Sequence, residues 1–448
     1  MINDSARNLL CEQFVKNNTI NPKLYDKYTV KRGLRNADGT GVTAGLTNIC
    51  NVHGYVVNEG EKSPIPGQLI YRGYNINDLV SNAVKENRFA YEETVYLLLM
   101  GELPNAQELE AFKMIMSENR ALPMNFFEDM ILKAPSRNIM NKMGRSVLAL
   151  YSYDENPENR SPEYEMATAI SIISKLPNIM VSAYQVKKRM YDGESMVMHP
   201  LIPEHSTAEM ILSALRNDRN FTDEEAKLLD LMLMLHAEHG GGNNSTFSCR
   251  VLTSSGTDPY SAYTAAIGSL KGPRHGGANL KVAGMHDCIK ENVSDWNNEG
   301  EVAAFLRKIL RKEAYDKSGL IYGMGHAVYT LSDPRAVILK ENAKKLAKNT
   351  EFEAEFNLLE TVERLTPELF AEIKGDNKVM CANVDMYSGL VYRMLGIPDD
   401  LFTPLFAVSR MAGWCAHRFE ELVTGKRIIR PAYKAVSKER EYVPISNR

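Results

Sequence analysis

The stretch "PLFAVSRMAGWCAHRFEELV", residues 404–423, predicts the fold class of this 448-residue chain. Its apolar side chains recur at alternating spacings of three and four residues, at Leu405, Val408, Ala412, Cys415, Phe419 and Leu422. This spacing places them on one face of an amphipathic helix, and Gly425 follows where the helix should end. We expect this helix to be buried in the core.

The same helical periodicity prevails elsewhere. It predicts two helices in residues 90–116 with a turn at Gly101 to Pro104, a helix in 167–190 interrupted at Pro177, and a buried helix at 224–239. Strand signals are few, and "GQLIYRGYNI" (67–76) predicts one short hairpin. The segments 54–67 and 153–163 are polar and are expected to form loops. The chain is therefore expected to be mainly α.

Composition excludes several classes of protein. The chain is 44% hydrophobic and 24% charged with a net charge of −3, which gives no reason to expect nucleic acid or a membrane surface as partner. The longest apolar runs are too short to cross a bilayer, and the first residues resemble neither a signal nor a transit peptide. Six cysteines without a C-x-x-C pair predict reduced thiols and a cytoplasmic protein.

Three of the nine histidines lie beside unusual glycine density. His239 opens "HGGGNN", His275 lies in "GPRHGGAN" and His326 lies in "YGMGHAVY". Glycine lets the backbone turn tightly and lets other groups approach closely. With Asp385 in the otherwise neutral "CANVDMYSG", these imidazoles predict a site in which a carboxylate acts as base and the rings donate hydrogen bonds.

Two other interpretations are weaker. His236 and His239 have a spacing that suits a shared metal ion, but H-E-x-x-H is absent and His236 is better read as a core residue. "GMGHAV" lacks the third glycine and the preceding strand of a dinucleotide-binding loop.

The motifs "GPRHGGAN", "GMGHAVYTLSDPR", "NVDMYSGLVYRMLGIP" and "AVSRMAGWCAHRFEEL" resemble citrate synthases in order and spacing. The resemblance runs from about residue 67 to the end and implies a large helical domain (1–275 and 391–448), a smaller mobile helical domain (276–390) and an N-terminal hairpin. It also implies a homodimer. Residues before 40 have no counterpart and receive no function.

The resemblance assigns roles to the candidate residues. Asp385 matches the base that deprotonates acetyl-CoA, His275 the donor to the thioester oxygen, and His326 the donor to the carbonyl of oxaloacetate. His239, Arg335 and Arg410 match residues that bind oxaloacetate, and Arg430 matches an arginine supplied to the neighbouring subunit's site. Planar guanidinium groups suit bidentate carboxylate recognition.

The implied reaction uses coenzyme A as substrate and product, with no cofactor and no metal. Phe406 matches a residue beside the substrate. Arg274 stands where the family commonly has an apolar residue and Thr330 where many relatives have a basic one, so no residue is assigned to the CoA phosphates. The alternatives are a 2-methylcitrate synthase using propionyl-CoA, a metal-dependent hydrolase built on His236 and His239, and a non-catalytic helical dimer.

Overall fold

The computed structural model describes residues 4–36, 38–58, 61–375 and 379–448. The chain is 58% helical, which confirms the mainly-α prediction. It divides into two units, Met1–Leu46 and Thr47–Arg448. Within the described part of the first unit the helices are α1 (Asp4–Asn18), α2 (Lys23–Lys27) and a 3₁₀ turn (Arg32–Leu34).

The second unit is built mainly from helices of 9 to 26 residues. In its described residues they are α3 (Ile76–Lys85), α4 (Tyr91–Met100), α5 (Ala106–Glu118), α6 (Ile139–Leu150), α7 (Pro162–Lys187), α8 (Thr207–Leu215), α9 (Asp223–His236), α10 (Asn244–Ser254), α11 (Pro259–Leu270), α12 (Ala278–Asn292), α13 (Glu299–Leu310), α14 (Pro334–Ala347), α15 (Glu353–Lys374), α16 (Asp385–Met394) and α17 (Phe402–Thr424). Short π-helical turns occupy Phe127–Leu132 and Lys188–Asp192, and 3₁₀ turns occupy Tyr151–Tyr153, Asp399–Leu401 and Ile445–Asn447.

Helix α17 lies in the core, as its stripe predicted. It packs against α4, α7, α9, α10 and α11, its residues 402–418 are all buried, and Gly425 follows its last turn. The predicted turn between α4 and α5 is also confirmed. The division into domains 1–275 with 391–448 and 276–390 stays a prediction.

The small sheet is larger than the sequence indicated. Strands β1 (Cys50–Asn58), β2 (Glu61–Tyr71) and β3 (Tyr74–Asn75) are antiparallel in the order β1-β2-β3. The hairpin at 67–76 is confirmed, but the loop predicted at 54–67 is wrong because most of that segment lies in β1 and β2. Pro64 and Pro66 are unusual in a strand, which is why the sequence predicts a loop for this segment. Strand β3 pairs with Ile70 and Tyr71 of β2, so both prolines lie in the part of β2 that has no second neighbouring strand among the described residues.

The interruption predicted at Pro177 is also wrong. Helix α7 continues through this residue, which is itself buried. Packing against α5, α6, α8 and α17 stabilises the turn that lacks one backbone hydrogen bond.

Among the described residues, Pro162–Asp192 is the one helical segment long and apolar enough to cross a membrane, and 72% of its apolar window lies inside the protein.

Candidate active site

The segments that carry His326 and Asp385 are joined through Asn383. The Asn383 side-chain amide donates to the Gly325 carbonyl at 2.8 Å, and its Oδ1 accepts the backbone N–H of Asp385 at 3.0 Å. Asp385 is the first residue of α16. One asparagine therefore fixes the distance between the predicted base and the loop of the predicted donor.

The β-hairpin forms hydrogen bonds with the loop that carries His326. Tyr329, on which the His326 ring stacks at 4.5 Å between centroids, donates its hydroxyl hydrogen to the Gln68 carbonyl at 3.2 Å. The backbone N–H of Gly67 donates to the Ser332 carbonyl at 3.1 Å. A β-carbon at position 67 would collide with that carbonyl and with the Tyr329 ring, so this close approach requires glycine.

The backbone selects the tautomer of His326. Its Nδ1 accepts the N–H groups of Val328 and Tyr329, both at 3.1 Å, so the neutral ring carries its proton on Nε2 and can donate from there. The ring of His239 lies 5.0 Å from that of His326, centroid to centroid. Burial, with the nearby charge of Arg335, holds the pKa of His239 well below its usual value.

His275 contacts the hydroxyl group of Ser245. Its Nε2 lies 3.0 Å from Ser245 Oγ, which receives a hydrogen bond from Trp414 Nε1 at 3.2 Å and donates to Asn243 Oδ1 at 2.9 Å. Burial, with the positive charge of Arg410, lowers the pKa of His275 to about 4, so the ring is neutral near pH 7.

The glycine corner beside His275 is a packing requirement of the chain itself. A β-carbon on Gly276 would lie 2.5 Å from the Leu270 carbonyl, which accepts the Gly276 N–H at 2.9 Å. The His275 N–H donates to the Gly272 carbonyl at 2.9 Å. The corner thus turns the chain back onto the end of α11, while the neighbouring Arg274 is exposed.

Asp385 has the electrostatics of a weak base. Burial raises its pKa to about 6, and Asp333 contributes in the same direction, while Arg335 and Arg410 oppose the rise. The carboxylate is therefore mostly ionised at pH 7 but more basic than an exposed aspartate.

Arg335 is paired within the protein. Its Nε and Nη2 donate to the two carboxylate oxygens of Asp333 at 3.0 and 2.7 Å, and Asp333 also caps α14 by accepting the Arg335 backbone N–H. Burial alone would lower the pKa of Arg335, but the Asp333 charge outweighs it and raises that pKa.

Arg410 lacks such a partner. Its side chain is 0% exposed, and Nε donates to the His236 carbonyl at 2.6 Å. Nη1 and Nη2 are buried and, among the described residues, have no hydrogen-bond partner. The guanidinium stacks on Phe406 at 4.7 Å, and burial lowers its pKa against the opposing charge of Glu238. Such a buried fork is suited to a carboxylate.

The structure therefore brings six of the seven predicted site residues into one electrostatically connected cluster. These are His239, His275, His326, Arg335, Asp385 and Arg410. Arg430 is exposed in the segment after α17, which the Ile429 N–H anchors to Ser254 Oγ at 3.0 Å.

Sequence reasoning missed the groups that position these residues. Asp333 precedes Arg335 by two residues in "SDPR", a helix-capping pattern that could have shown it. Ser245, Asn383 and Glu238 carry no such signal. Glu238 accepts from His417 Nε2 at 3.0 Å and from the Gly240 N–H, which holds the segment that follows α9.

The contacts of His236 are those of a core histidine. Its Nδ1 lies 2.8 Å from the Met232 carbonyl and its ring packs edge-on to Phe406 at 4.6 Å. No group of three or more His, Cys, Asp and Glu side chains that could hold a metal occurs in the part of the chain that the structure describes.

An apolar cavity of about 190 Å³ adjoins His326. Its wall includes Leu320, Ile321, Met324 and Phe370. Such a wall suits the apolar part of an acyl thioester.

Comparisons with known proteins show the family of this chain. The family model "Citrate synthase, C-terminal domain" matches residues 36–432. "Citrate synthase 2" of Bacillus subtilis is 36% identical over 86% of this chain and 95% of its own length. "2-methylcitrate synthase 1" of Corynebacterium glutamicum is 33% identical over 86% of this chain and 93% of its own.

A solved structure shows the same fold. It is citrate synthase from Thermoplasma acidophilum in a ternary complex with carboxymethyl coenzyme A and oxaloacetate, with a TM-score of 0.75 and 28% identity over 93% of this chain and 99% of that one. The chain is thus an acyltransferase of mainly α fold. It belongs to the citrate synthase family.

Proposed function

We propose that this protein condenses acetyl-CoA with oxaloacetate and water to give citrate and CoA, the entry step of the tricarboxylic acid cycle. The observation that carries the proposal is Arg410, a fully buried guanidinium whose two terminal nitrogens have no hydrogen-bond partner among the residues that the structure describes. A buried cation with free donors stabilises a bound carboxylate, and oxaloacetate has two. Arg335 and His239 would complete the oxaloacetate site.

Asp385 is the base in this proposal. It takes a proton from the methyl group of acetyl-CoA, and the C–H electron pair forms the enol carbon–carbon double bond. A pKa of about 6 supports this role, because a base near that value is ionised at pH 7 yet accepts a proton more readily than an ordinary aspartate.

The two neutral imidazoles stabilise the oxygens on which charge develops. His275 donates to the thioester oxygen, and the contact of its Nε2 with Ser245 Oγ holds the ring in place. His326 donates from Nε2 to the ketone oxygen of oxaloacetate, since its Nδ1 is occupied by two backbone N–H groups. Fixed donors of this kind contribute most in a site without water.

The electron pair of the enol double bond then attacks the ketone carbon of oxaloacetate, the π bond of that carbonyl breaks, and its oxygen takes a proton to give citryl-CoA. Water adds to the thioester carbonyl, the C–S bond breaks, and the sulfur leaves as the CoA thiol after taking a proton. Closure of the small domain (276–390) over the large one would exclude water until condensation is complete. We propose no cofactor and no metal: CoA enters as part of the substrate.

We further propose a cytoplasmic homodimer in which Arg430 reaches the neighbouring subunit's site. Its exposure in the C-terminal segment supports this role. All six cysteines, each within the described residues, are free thiols, which fits a reducing compartment. If Arg430 acts across subunits, mixing inactive Arg430→Ala and Asp385→Asn protomers should restore activity in the mixed dimers.

The second candidate is 2-methylcitrate synthesis from propionyl-CoA. A relative with that name matches this chain at 33% identity, close to the 36% of a relative named citrate synthase. One methylene in an apolar pocket changes specificity by about 10- to 200-fold.

A thiol-release assay with oxaloacetate tests both candidates. We expect release of CoA thiol with acetyl-CoA to exceed that with propionyl-CoA in kcat/KM, and mass spectrometry to identify citrate. A higher kcat/KM for propionyl-CoA would assign 2-methylcitrate synthesis instead. Absence of thiol release with both thioesters would contradict the proposed function.

A further inference from the structure

A second cavity, of about 410 Å³, lies between α4, α5 and the start of α8. None of its lining residues belongs to the catalytic cluster. Its volume falls in the range of small-molecule sites. Two buried side chains of opposite charge line it, and each has one polar atom without a partner.

Arg120 is the cation of this cavity. It is 4% exposed, and among the described residues its Nη1 is buried without a hydrogen-bond partner. Asn178 Nδ2 donates to the Arg120 carbonyl at 3.1 Å and anchors the backbone at this position. Burial lowers the pKa of the guanidinium, and the charges of Glu92 and Glu209 oppose this shift without supplying a hydrogen-bond acceptor to Nη1.

Glu92 is the anion. It is 2% exposed, and its Oε1 accepts the backbone N–H and the hydroxyl of Thr207, both at 2.8 Å. Its Oε2 is buried and, in the part of the chain that the structure describes, has no hydrogen-bond partner. The nearby Asp230 adds negative charge: burial, and then Glu92, raise the pKa of that second carboxyl group. A ligand cation beside Glu92 would relieve this repulsion.

We propose that this cavity binds a small zwitterion of the α-amino acid class. The ligand carboxylate would accept from Arg120 Nη1 and its ammonium would donate to Glu92 Oε2. Phe89 and Met114, which also line the cavity, would contact the ligand side chain. This site is independent of the proposed citrate synthesis.

The charge of the lining favours a zwitterion over a nucleotide or CoA. Five glutamates line the cavity against the cations Lys113 and Arg120, and Lys113 is already paired with Glu110 at 2.8 Å. This excess of negative charge repels polyphosphates. The guanidinium of Arg120 in turn disfavours a bare metal ion, because it places a like charge in the same space.

The test uses the full chain and calorimetric titration with L-leucine, L-lysine and L-glutamate. Two further probes each carry one charge of leucine on a similar carbon skeleton: 4-methylpentanoate and isoamylamine. We expect saturable binding of at least one amino acid, with both single-charge probes at least about tenfold weaker, because each leaves one buried charge unpaired.

Variants locate the binding. Arg120→Gln and Glu92→Gln should each weaken binding about tenfold or more. Met114→Trp should block the cavity without disturbing the fold, since Met114 is 63% exposed, and Met124→Trp is its control because Met124 is 86% exposed and lies outside the lining. Circular dichroism checks that each variant is folded.

The outcomes are distinct. Binding lost in Met114→Trp and retained in Met124→Trp supports the site even if Arg120→Gln fails to fold. Absence of saturable binding by all three amino acids means that water alone fills the cavity and overturns the proposal. Equal binding of 4-methylpentanoate and L-leucine also overturns it, because Glu92 would then contribute nothing. Thiol release is not part of the readout, so failure of the proposed function leaves this test unaffected.

Discussion

The two buried arginines of the candidate site differ in whether a carboxylate of the protein neutralises them. Arg335, at the start of α14, forms a bidentate ion pair with Asp333, and its pKa is raised. Arg410, in the middle of α17, has no ion-pair partner within the described part of the chain, and its pKa is lowered mainly by burial. The protein has thus stabilised one guanidinium with its own carboxylate and left the other without one.

This difference separates a structural charge from a binding charge. A paired buried arginine contributes little further energy to an anion, because its donors already have acceptors. An unpaired buried arginine retains the free-energy cost of its desolvation until an anion binds to it. We therefore expect oxaloacetate affinity to depend chiefly on Arg410 and stability to depend chiefly on Arg335.

The largest effect should come from Asp385→Asn, which leaves both arginines in place. Removing a general base lowers the rate by about 10²- to 10⁴-fold, while oxaloacetate still binds the two guanidinium groups. Steady-state kinetics with calorimetric titration of oxaloacetate measure the two quantities separately. Unchanged kcat would exclude Asp385 as the base, and lost oxaloacetate binding would show that the separation of binding from chemistry is wrong.

Arg410→Gln should remove binding rather than stability. Loss of a buried charged contact costs about 2–5 kcal/mol, or about 30- to 5,000-fold in kcat/KM for oxaloacetate. The Arg410 guanidinium has no ion-pair partner among the described residues of the free protein. The thermal stability of Arg410→Gln should therefore fall less than that of the matching variant Arg335→Gln. A larger loss of stability in Arg410→Gln would reverse the comparison.

Arg335→Gln should act chiefly on stability. It leaves the buried Asp333 carboxylate without its cation, which costs about 3–5 kcal/mol in the free energy of unfolding. Adding Asp333→Asn removes the stranded charge and should restore part of that loss, as urea denaturation would show. If the double variant is no more stable than the single one, Asp333 is not neutralised by Arg335.

The sequence predicted the buried helices better than the groups that position the candidate site residues. Periodicity was sufficient for α17 and for the helix that precedes His239, because a long apolar stripe specifies a buried helix. The β1–β2 pairing was missed since Pro64 and Pro66 interrupt the alternation, although the strand edge tolerates them. The Asp333–Arg335 pair lies within one local capping pattern, whereas the surroundings of Arg410, such as the His236 carbonyl, come from residues distant in sequence, which local patterns do not reveal.

Ser245→Ala should have a smaller effect on catalysis. It acts on His275, whose pKa is lowered by burial and, in part, by the charge of Arg410. It removes the hydroxyl that contacts Nε2, so the His275 ring loses a hydrogen bond of about 0.5–1.5 kcal/mol that holds its orientation. We expect kcat to fall up to about tenfold with little change in KM for oxaloacetate. Trp414→Phe is the control, because it removes the hydrogen bond from Trp414 Nε1 to Ser245 Oγ and keeps the hydroxyl. Equal losses in both variants would mean that packing, not the contact between the hydroxyl and His275, is responsible.

The smallest effect is a shift in the pH profile, and it reports directly on the two arginines. Because burial raises the pKa of Asp385 to about 6, kcat/KM should fall as pH decreases through about 6, while His275 stays neutral until about pH 4. Arg410→Gln removes a positive charge that lowers this pKa, so the midpoint should rise by about one pH unit. The double variant Asp333→Asn with Arg335→Gln removes one charge of each sign and should leave the midpoint nearly unchanged. A larger shift in the double variant than in Arg410→Gln would show that Arg335 carries the uncompensated charge.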